Sequence, residues 1–219
     1  MNIVIIGAGQ NGGQVYNILK LNKEVRIVGF LDDDPKKHGT TKYGLPVLGA
    51  FHTIASVSEK YGVEGAIAAV GNNELRSRLM KGLMDAGLHI VSAIHPHIYI
   101  DDTARIGKGV IIEMGAMIHP EAQIGDGVFV GGSTVVAHDC VVGEYVLLGG
   151  GVIFGGDVVV GAYSTLGVGT VLQPQVRIGR NVTTGIGTVV VKDLPDNAVA
   201  VGVPAKILRY QDLVQDEKS

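Results

Sequence analysis

The chain has 219 residues, 46% apolar and 18% charged, with 33 glycines, one cysteine and a formal net charge of −3. That length holds one large domain or two modest ones, and the apolar content sets the chain apart from disordered sequences. The small net charge leaves no electrostatic footprint for nucleic acid or an acidic membrane, one cysteine excludes an internal disulfide, and charges interrupt every long apolar run, so no bilayer span is expected.

Asn2–Ile6 is a short apolar run ending in Gly7-Ala8-Gly9-Gln10-Asn11-Gly12, with Val15, Ile18 and Leu19 following at helical spacing. Strand, glycine-rich turn and helix are therefore predicted. This start lacks the basic residues and long apolar core of a secretory leader, which makes the cytoplasm the expected compartment. Residues 24–31 read as a second strand ending at Asp32-Asp33-Asp34. Residues 43–49 read as a loop or short strand around Pro46, and 53–61 as a helix. Residues 65–70 form a third strand ending in Gly71-Asn72-Asn73. A helix over 75–86 carries Leu75, Leu79, Leu83 and Met84 on one side, with Gly87 as its C-cap. Alternating strands and helices predict a small parallel α/β unit of about three strands.

Near residues 92–96 the rhythm changes. From Ile94 to Val190 every sixth residue is Ile, Val or Leu, with Phe154 and Thr184 as the exceptions, and glycine follows many of these steps directly. The position four after each step is small or β-branched, as at Ala116, Cys140, Val158 and Thr170. Neither helical nor simple strand periodicity produces a six-residue rule, whereas a parallel β-helix does. About three hexads make one turn, and the interior fills with these aliphatic and small residues. Function must then come from the outer faces or from contacts between subunits. Residues 192–204 are expected to be a loop with two prolines, and 205–215 a short closing helix. The predicted architecture is an α/β N-terminal Rossmann-like domain (1–93), a β-helix (94–195) and a C-terminal segment (196–219).

Three features carry candidate chemistry. The first turn satisfies G-x-G-x-x-G, with Asp32 at the end of the second strand, so backbone N–H groups and a helix N-terminus could meet phosphate. A domain with no second mononucleotide half has little to hold a whole dinucleotide, so a nucleotide-sugar fits better than NAD, and a structural role is the third option. Second, His138 lies within Val135-Val136-Ala137-His138-Asp139-Cys140-Val141-Val142-Gly143. A carboxylate beside a histidine stabilises the imidazolium formed on proton uptake, as a general base requires. His38, His52, His89, His95, His97 and His119 sit in or beside predicted turns and element ends, where surface placement or structural hydrogen bonding accounts for them. Third, Cys140 falls at a small inward position, which favours packing over reactivity. No histidine pair has the spacing of intersubunit zinc sites in hexad solenoids, so no metal is expected.

The residues Gly7-Ala8-Gly9, Phe30-Leu31-Asp32-Asp33, Val70-Gly71-Asn72-Asn73-Glu74, Ile94-His95-Pro96, the run from Val135 to Gly143, and Val201-Gly202-Val203-Pro204-Ala205-Lys206 together resemble a known family. It is the left-handed β-helix sugar acyltransferases, the group of sialic acid O-acetyltransferases and nucleotide-aminosugar N-acetyltransferases, and the likeness covers essentially the whole chain. The resemblance implies a homotrimer with acetyl-CoA in the groove between neighbouring solenoids and a nucleotide-linked amino sugar, a 4-amino sugar first, as acceptor. It implies that His138 is the general base and that Asp139 tunes it. Leu147, Gly156, Val168 and Ile186 fall at cofactor positions, and Gly9, Gln10, Asn11, Asp32, Asp33 and Gly71 at nucleotide-sugar positions. Two positions depart from the family pattern. Asn11 stands where the glycine-rich turn usually carries histidine, and Leu147 stands where many members place a second histidine near the acetyl group. Leucine cannot donate to a thioester carbonyl, so any such help must come from backbone N–H groups. The expected activity is transfer of acetyl from acetyl-CoA to a sugar amine in surface glycan synthesis. O-acetylation of a sugar such as sialic acid, and a non-catalytic trimer binding nucleotide-sugar and CoA, stand as alternatives.

Overall fold

A computed structural model describes residues 1–211. The chain divides into two compact units, Met1–Pro96 and a second beginning at His97.

The first unit is built on β1 (Asn2–Ile6), whose Ile3, Val4 and Ile5 are fully buried. It continues through α1 (Gln10–Leu19), β2 (Arg26–Leu31), β3 (Thr41–Lys42), β4 (Leu45–Gly49), α2 (Ile54–Tyr61), β5 (Gly65–Ala68), α3 (Asn73–Asp85) and β6 (His89–Ile90). The sheet order is β3-β4-β2-β1-β5-β6. All neighbours are parallel except β3, which pairs antiparallel with β4 across a Tyr43-Gly44 turn with positive φ at both residues, the geometry of a tight type I′ hairpin. The sheet thus has six strands where three were expected. The additional ones are short and carry weak apolar patterns, and Pro46 lies within β4. Because β2 and β5 lie on opposite sides of β1, the chain reverses its direction of strand addition at β1. The carboxyl ends of these strands therefore flank a crevice of the kind that binds ligands in open α/β sheets.

The second unit is a left-handed parallel β-helix of two-residue strands. Ile111–Ile112 pairs with Phe129–Val130, which pairs with Leu147–Leu148, then Thr165–Leu166 and Thr183–Thr184, a constant offset of three hexads. Three such sheets form the sides of a triangular coil. The residues at the six-residue steps point inward and are buried from Ile112 to Val190, as are the small residues four positions on. Phe154, an exception to the aliphatic rule, is buried in the same column. Thr184, the other exception, is also buried and is satisfied there. Its Oγ1 accepts from Gly167 N at 3.0 Å and lies 2.8 Å from Thr170 Oγ1.

The corners repeat a conformation that the sequence pattern did not reveal. Every sixth residue from Gly109 to Gly187 lies in the left-handed region, with φ between 53° and 77°, and the residues there include Glu121, Ser133, Asp139, Tyr145, Asp157, Tyr163, Gln175 and Asn181. At several corners the N–H of this residue donates to a carbonyl one coil back, as from Asp139 to Pro120, Asp157 to His138 and Gln175 to Gly156. These axial bonds lock each corner to the one beneath it. Beyond Val190, the predicted loop contains a strand, Ala198–Val201, that joins Thr183–Thr184 in parallel. The predicted closing helix is instead the strand Lys206–Tyr210, antiparallel to Ala198–Val201; its last residues lie outside the described residues.

Candidate active site

Two groups of the predicted residues come together, one in each unit. In the first, the turn after β1 folds against the end of β2: Ala8 N donates to Asp32 Oδ2 at 2.7 Å and Gly7 N to Leu31 O at 2.7 Å. A Cβ on Gly12 would lie 1.9 Å from Gly7 O, so glycine is required there for α1 to start this close to the turn. Gly9 caps α1 without a side-chain bond and opens onto free space. Across the crevice, a Cβ on Gly71 would approach Asn11 Nδ2 at 3.0 Å, which puts those two predicted residues side by side. Gln10, the first residue of α1, is exposed. Asp33 turns elsewhere, accepting from Phe51 N at 2.7 Å.

The structure adds residues that the sequence did not single out. Lys37 Nζ pairs with Asp32 Oδ2 at 2.8 Å, and Lys42 Nζ donates to Ala8 O at 2.8 Å and to Gly9 O. Burial pushes the Asp32 carboxyl upward, but bonds from Lys37, Asp34 N and Ala8 N outweigh it and hold it below the usual value. Burial, then the charge of Lys37, lowers the Lys42 ammonium, with Asp32 opposing. Two cations thus converge on the glycine turn. Arg76, fully buried on α3, donates to Val70 O at 3.0 Å and to Asn73 Oδ1 at 2.8 Å, fixing the connection that carries Gly71. Tyr43 stacks on Tyr16 at 4.8 Å, its hydroxyl 2.7 Å from where a Gly13 Cβ would lie.

The second group lies on the β-helix corner that follows Val135–Val136. His138 Nδ1 lies 2.8 Å from Asp139 Oδ2, with the side chains 60% and 53% exposed. A carboxylate can only accept, so Nδ1 carries the proton and Nε2 presents its lone pair. One coil above, Gly156 packs directly against the imidazole: a Cβ there would sit 2.5 Å from Cε1 and 2.6 Å from Nε2. Cys140 is buried, and its thiol donates to Gly155 O at 3.2 Å; burial pushes that thiol up, in keeping with packing. Val168 and Ile186 are 54% and 83% exposed, stacked on the corner that precedes the same sheet. Below them that corner carries Gly132 and Gly150, so an apolar ridge stands beside a bare backbone floor. Leu147 points outward from a different sheet and is not beside His138 within one chain. Among the described residues no group of three or more His, Cys, Asp or Glu could hold a metal ion, and no helix is long and apolar enough to cross a membrane.

A coil with a histidine–carboxylate pair at one corner, preceded by an α/β crevice lined with cations, defines a transferase of the hexapeptide-repeat class. Comparison with known proteins makes the assignment narrower. Residues 2–83 match the PglD N-terminal domain, and residues 103–138 and 121–156 match the bacterial transferase hexapeptide model. None of the curated proteins matches the sequence. The perosamine N-acetyltransferase of Caulobacter crescentus, solved with CoA and GDP-perosamine, is 35% identical over 94% of this chain and 96% of its own, with a TM-score of 0.89. The acetyltransferase domain of PglB from Neisseria gonorrhoeae, solved with acetyl coenzyme A, is 29% identical over 94% and 98%, with a TM-score of 0.86. WeeI from Acinetobacter baumannii is 26% identical over 95% and 100%, with a TM-score of 0.81. The chain belongs to the left-handed β-helix sugar acetyltransferases and is an acyltransferase.

Proposed function

We propose that this protein transfers the acetyl group of acetyl-CoA to the amine of a nucleotide-linked amino sugar, a 4-amino sugar first, with His138 as general base. The observation that carries this reading is the His138–Asp139 pair, whose imidazole side chain is 60% exposed, on a chain akin to an enzyme solved with CoA and GDP-perosamine. The nucleotide diphosphate belongs at the glycine turn, where Lys37 and Lys42 converge and the N-terminus of α1 opens. Asp32 and Asn11 offer acceptors and donors to the nucleoside, with Gly9, Gln10 and Gly71 leaving room; Asp33 supports the crevice through Phe51 N.

In the reaction the amine nitrogen attacks the thioester carbonyl, and His138 Nε2 takes the amine proton. Asp139 stabilises the imidazolium through Nδ1–H. The carbon–sulfur bond then breaks, the new amide keeps the acetyl group, and the proton passes from His138 to the departing thiolate. Holding both substrates in reacting geometry supplies much of the rate enhancement. Val168 and Ile186 are suited to the pantetheine arm of CoA, an apolar chain that such exposed side chains would cover.

The active unit is read as a homotrimer. The sheet between the two corners exposes Tyr99, Met117, Ile153 and Val171, with Val135 and Val189 half-buried, so its whole outer face is apolar. His138 follows that sheet and the Val168–Ile186 ridge precedes it, so the two lie on opposite edges. A ring of three chains would set one chain's His138 against its neighbour's ridge.

The test is thiol release from acetyl-CoA with nucleotide 4-amino sugars, GDP-perosamine included, in wild type and His138→Ala. Turnover with one of them, lost by 10²–10⁴-fold in the variant, is expected. No thiol release from any amino sugar would refute the transfer, and equal rates would refute the role of His138.

A further inference from the structure

The hexads carry one corner position, two after each inward step, that accepts side chains freely: Lys108, Met114, Pro120, Asp126, Glu144, Ala162, Val168, Pro174, Arg180 and Ile186 occupy it elsewhere, and at the other glycines there, Gly132 and Gly150, an added Cβ would meet nothing nearer than 3.3 Å. Gly156 is at this position and is glycine. Its φ lies outside the left-handed region, so backbone conformation does not demand glycine. The three atoms nearest to an added Cβ all belong to the His138 ring, at 2.5, 2.6 and 3.3 Å, and no backbone atom is as near. The ring is 60% exposed, so it has space to swing away, and swinging away would break the 2.8 Å bond to Asp139.

From this geometry we propose that Gly156 is a positioning residue: the absence of a side chain there makes the floor on which His138 lies in its Asp139-bonded orientation. This rests on the reading of His138 as the base. The floor is itself anchored. Gly156 O accepts from Gln175 N at 2.9 Å, and the neighbouring Gly155 O accepts from the Cys140 thiol. His138 is bounded on one face by a backbone surface and on another by a carboxylate. Asp139 itself sits at a corner with φ 59°.

The experiment compares Gly156→Ala, His138→Ala and the double variant, with kcat, the KM for acetyl-CoA, thermal melting, and the ring ¹⁵N shifts of His138 assigned against His138→Ala. Gly156→Ala is expected to melt like wild type and to lose about 10²-fold in kcat, the scale for a catalytic group misplaced by about 1 Å. The KM for acetyl-CoA should stay within about twofold, the double variant should be no slower than His138→Ala, and the His138 shifts should move away from the Nδ1-protonated pattern. Unchanged kcat and shifts would overturn the proposal, as would a raised KM for acetyl-CoA at full kcat, which would assign Gly156 to the cofactor alone. Losses that multiply in the double variant would overturn it as well. If His138→Ala itself keeps wild-type turnover, it is the base assignment that fails, and the ¹⁵N shifts still report whether Gly156 seats the ring.

Discussion

Asp139 has two roles that substitution can pull apart. It occupies a corner with φ 59°, and it accepts from His138 Nδ1 at 2.8 Å. Asparagine tolerates the left-handed region and keeps a neutral acceptor; glycine adopts that region freely but keeps no acceptor; alanine satisfies neither requirement. The backbone effect should appear in stability alone. Asp139→Ala should cost about 1 kcal/mol in urea unfolding, from the left-handed penalty, while Asp139→Asn and Asp139→Gly stay close to wild type. The acceptor effect should appear in turnover alone. With both side chains more than half exposed in the isolated chain, the pair contributes little to folding. Once substrates exclude water, a charge-assisted bond to the forming imidazolium gains strength. A loss of about 1.4 kcal/mol in the transition state corresponds to about tenfold in kcat. The expected kcat order is therefore wild type, then Asn, then Ala and Gly together about tenfold down. The expected stability order instead sets Ala apart from the other three. Kinetics that followed the stability order, with Gly as active as wild type, would refute an orienting role for the carboxylate.

Two further outcomes follow from the electrostatics of the crevice and the apolar sheet. Asp32 has a folded-state pKa below its unfolded value, so the folded chain binds fewer protons than the unfolded one in that range, and the stability it contributes is lost as pH falls. Urea midpoints measured from pH 6 down to pH 3 should fall more steeply for wild type than for Asp32→Asn; parallel curves would mean that the Lys37 and Ala8 bonds do not favour the charged form. Ile153→Glu places a charge in the middle of the apolar outer face, and sedimentation should then report single chains, against the trimer expected of wild type, with acetyl transfer lost alongside. An unchanged sedimentation coefficient would remove that face from the interface.

The six-residue rhythm was legible because each step residue, from Ile112 to Val190, faces the interior and can be nothing but apolar or internally satisfied. The left-handed corners were not, because Tyr145, Gln175 and Asp157 share a conformation without sharing chemistry. The strand Lys206–Tyr210 resembled a helix because its partner Ala198–Val201, not its own pattern, decides its conformation. In the site, His138 stood out by breaking an apolar run, and the glycine turn by its spacing. Lys37 and Lys42 look like ordinary surface lysines until folding brings them to Asp32 and the carbonyls of Ala8 and Gly9. Gly156 falls at a family cofactor position, but in a chain this rich in glycine only the imidazole packed against it explains its particular position.

The constant three-hexad offset also makes the solenoid a ruler. Each coil advances the chain by about 4.8 Å, the spacing of paired strands. An insertion of one or two residues cannot be absorbed gradually, since it would rotate every later side chain off its side of the triangle; it must be expelled at a corner. Length can change cleanly only by whole coils. The height of His138 relative to Val168 and Ile186 is therefore set in discrete notches, and reach toward a longer or shorter thioester would be retuned a coil at a time.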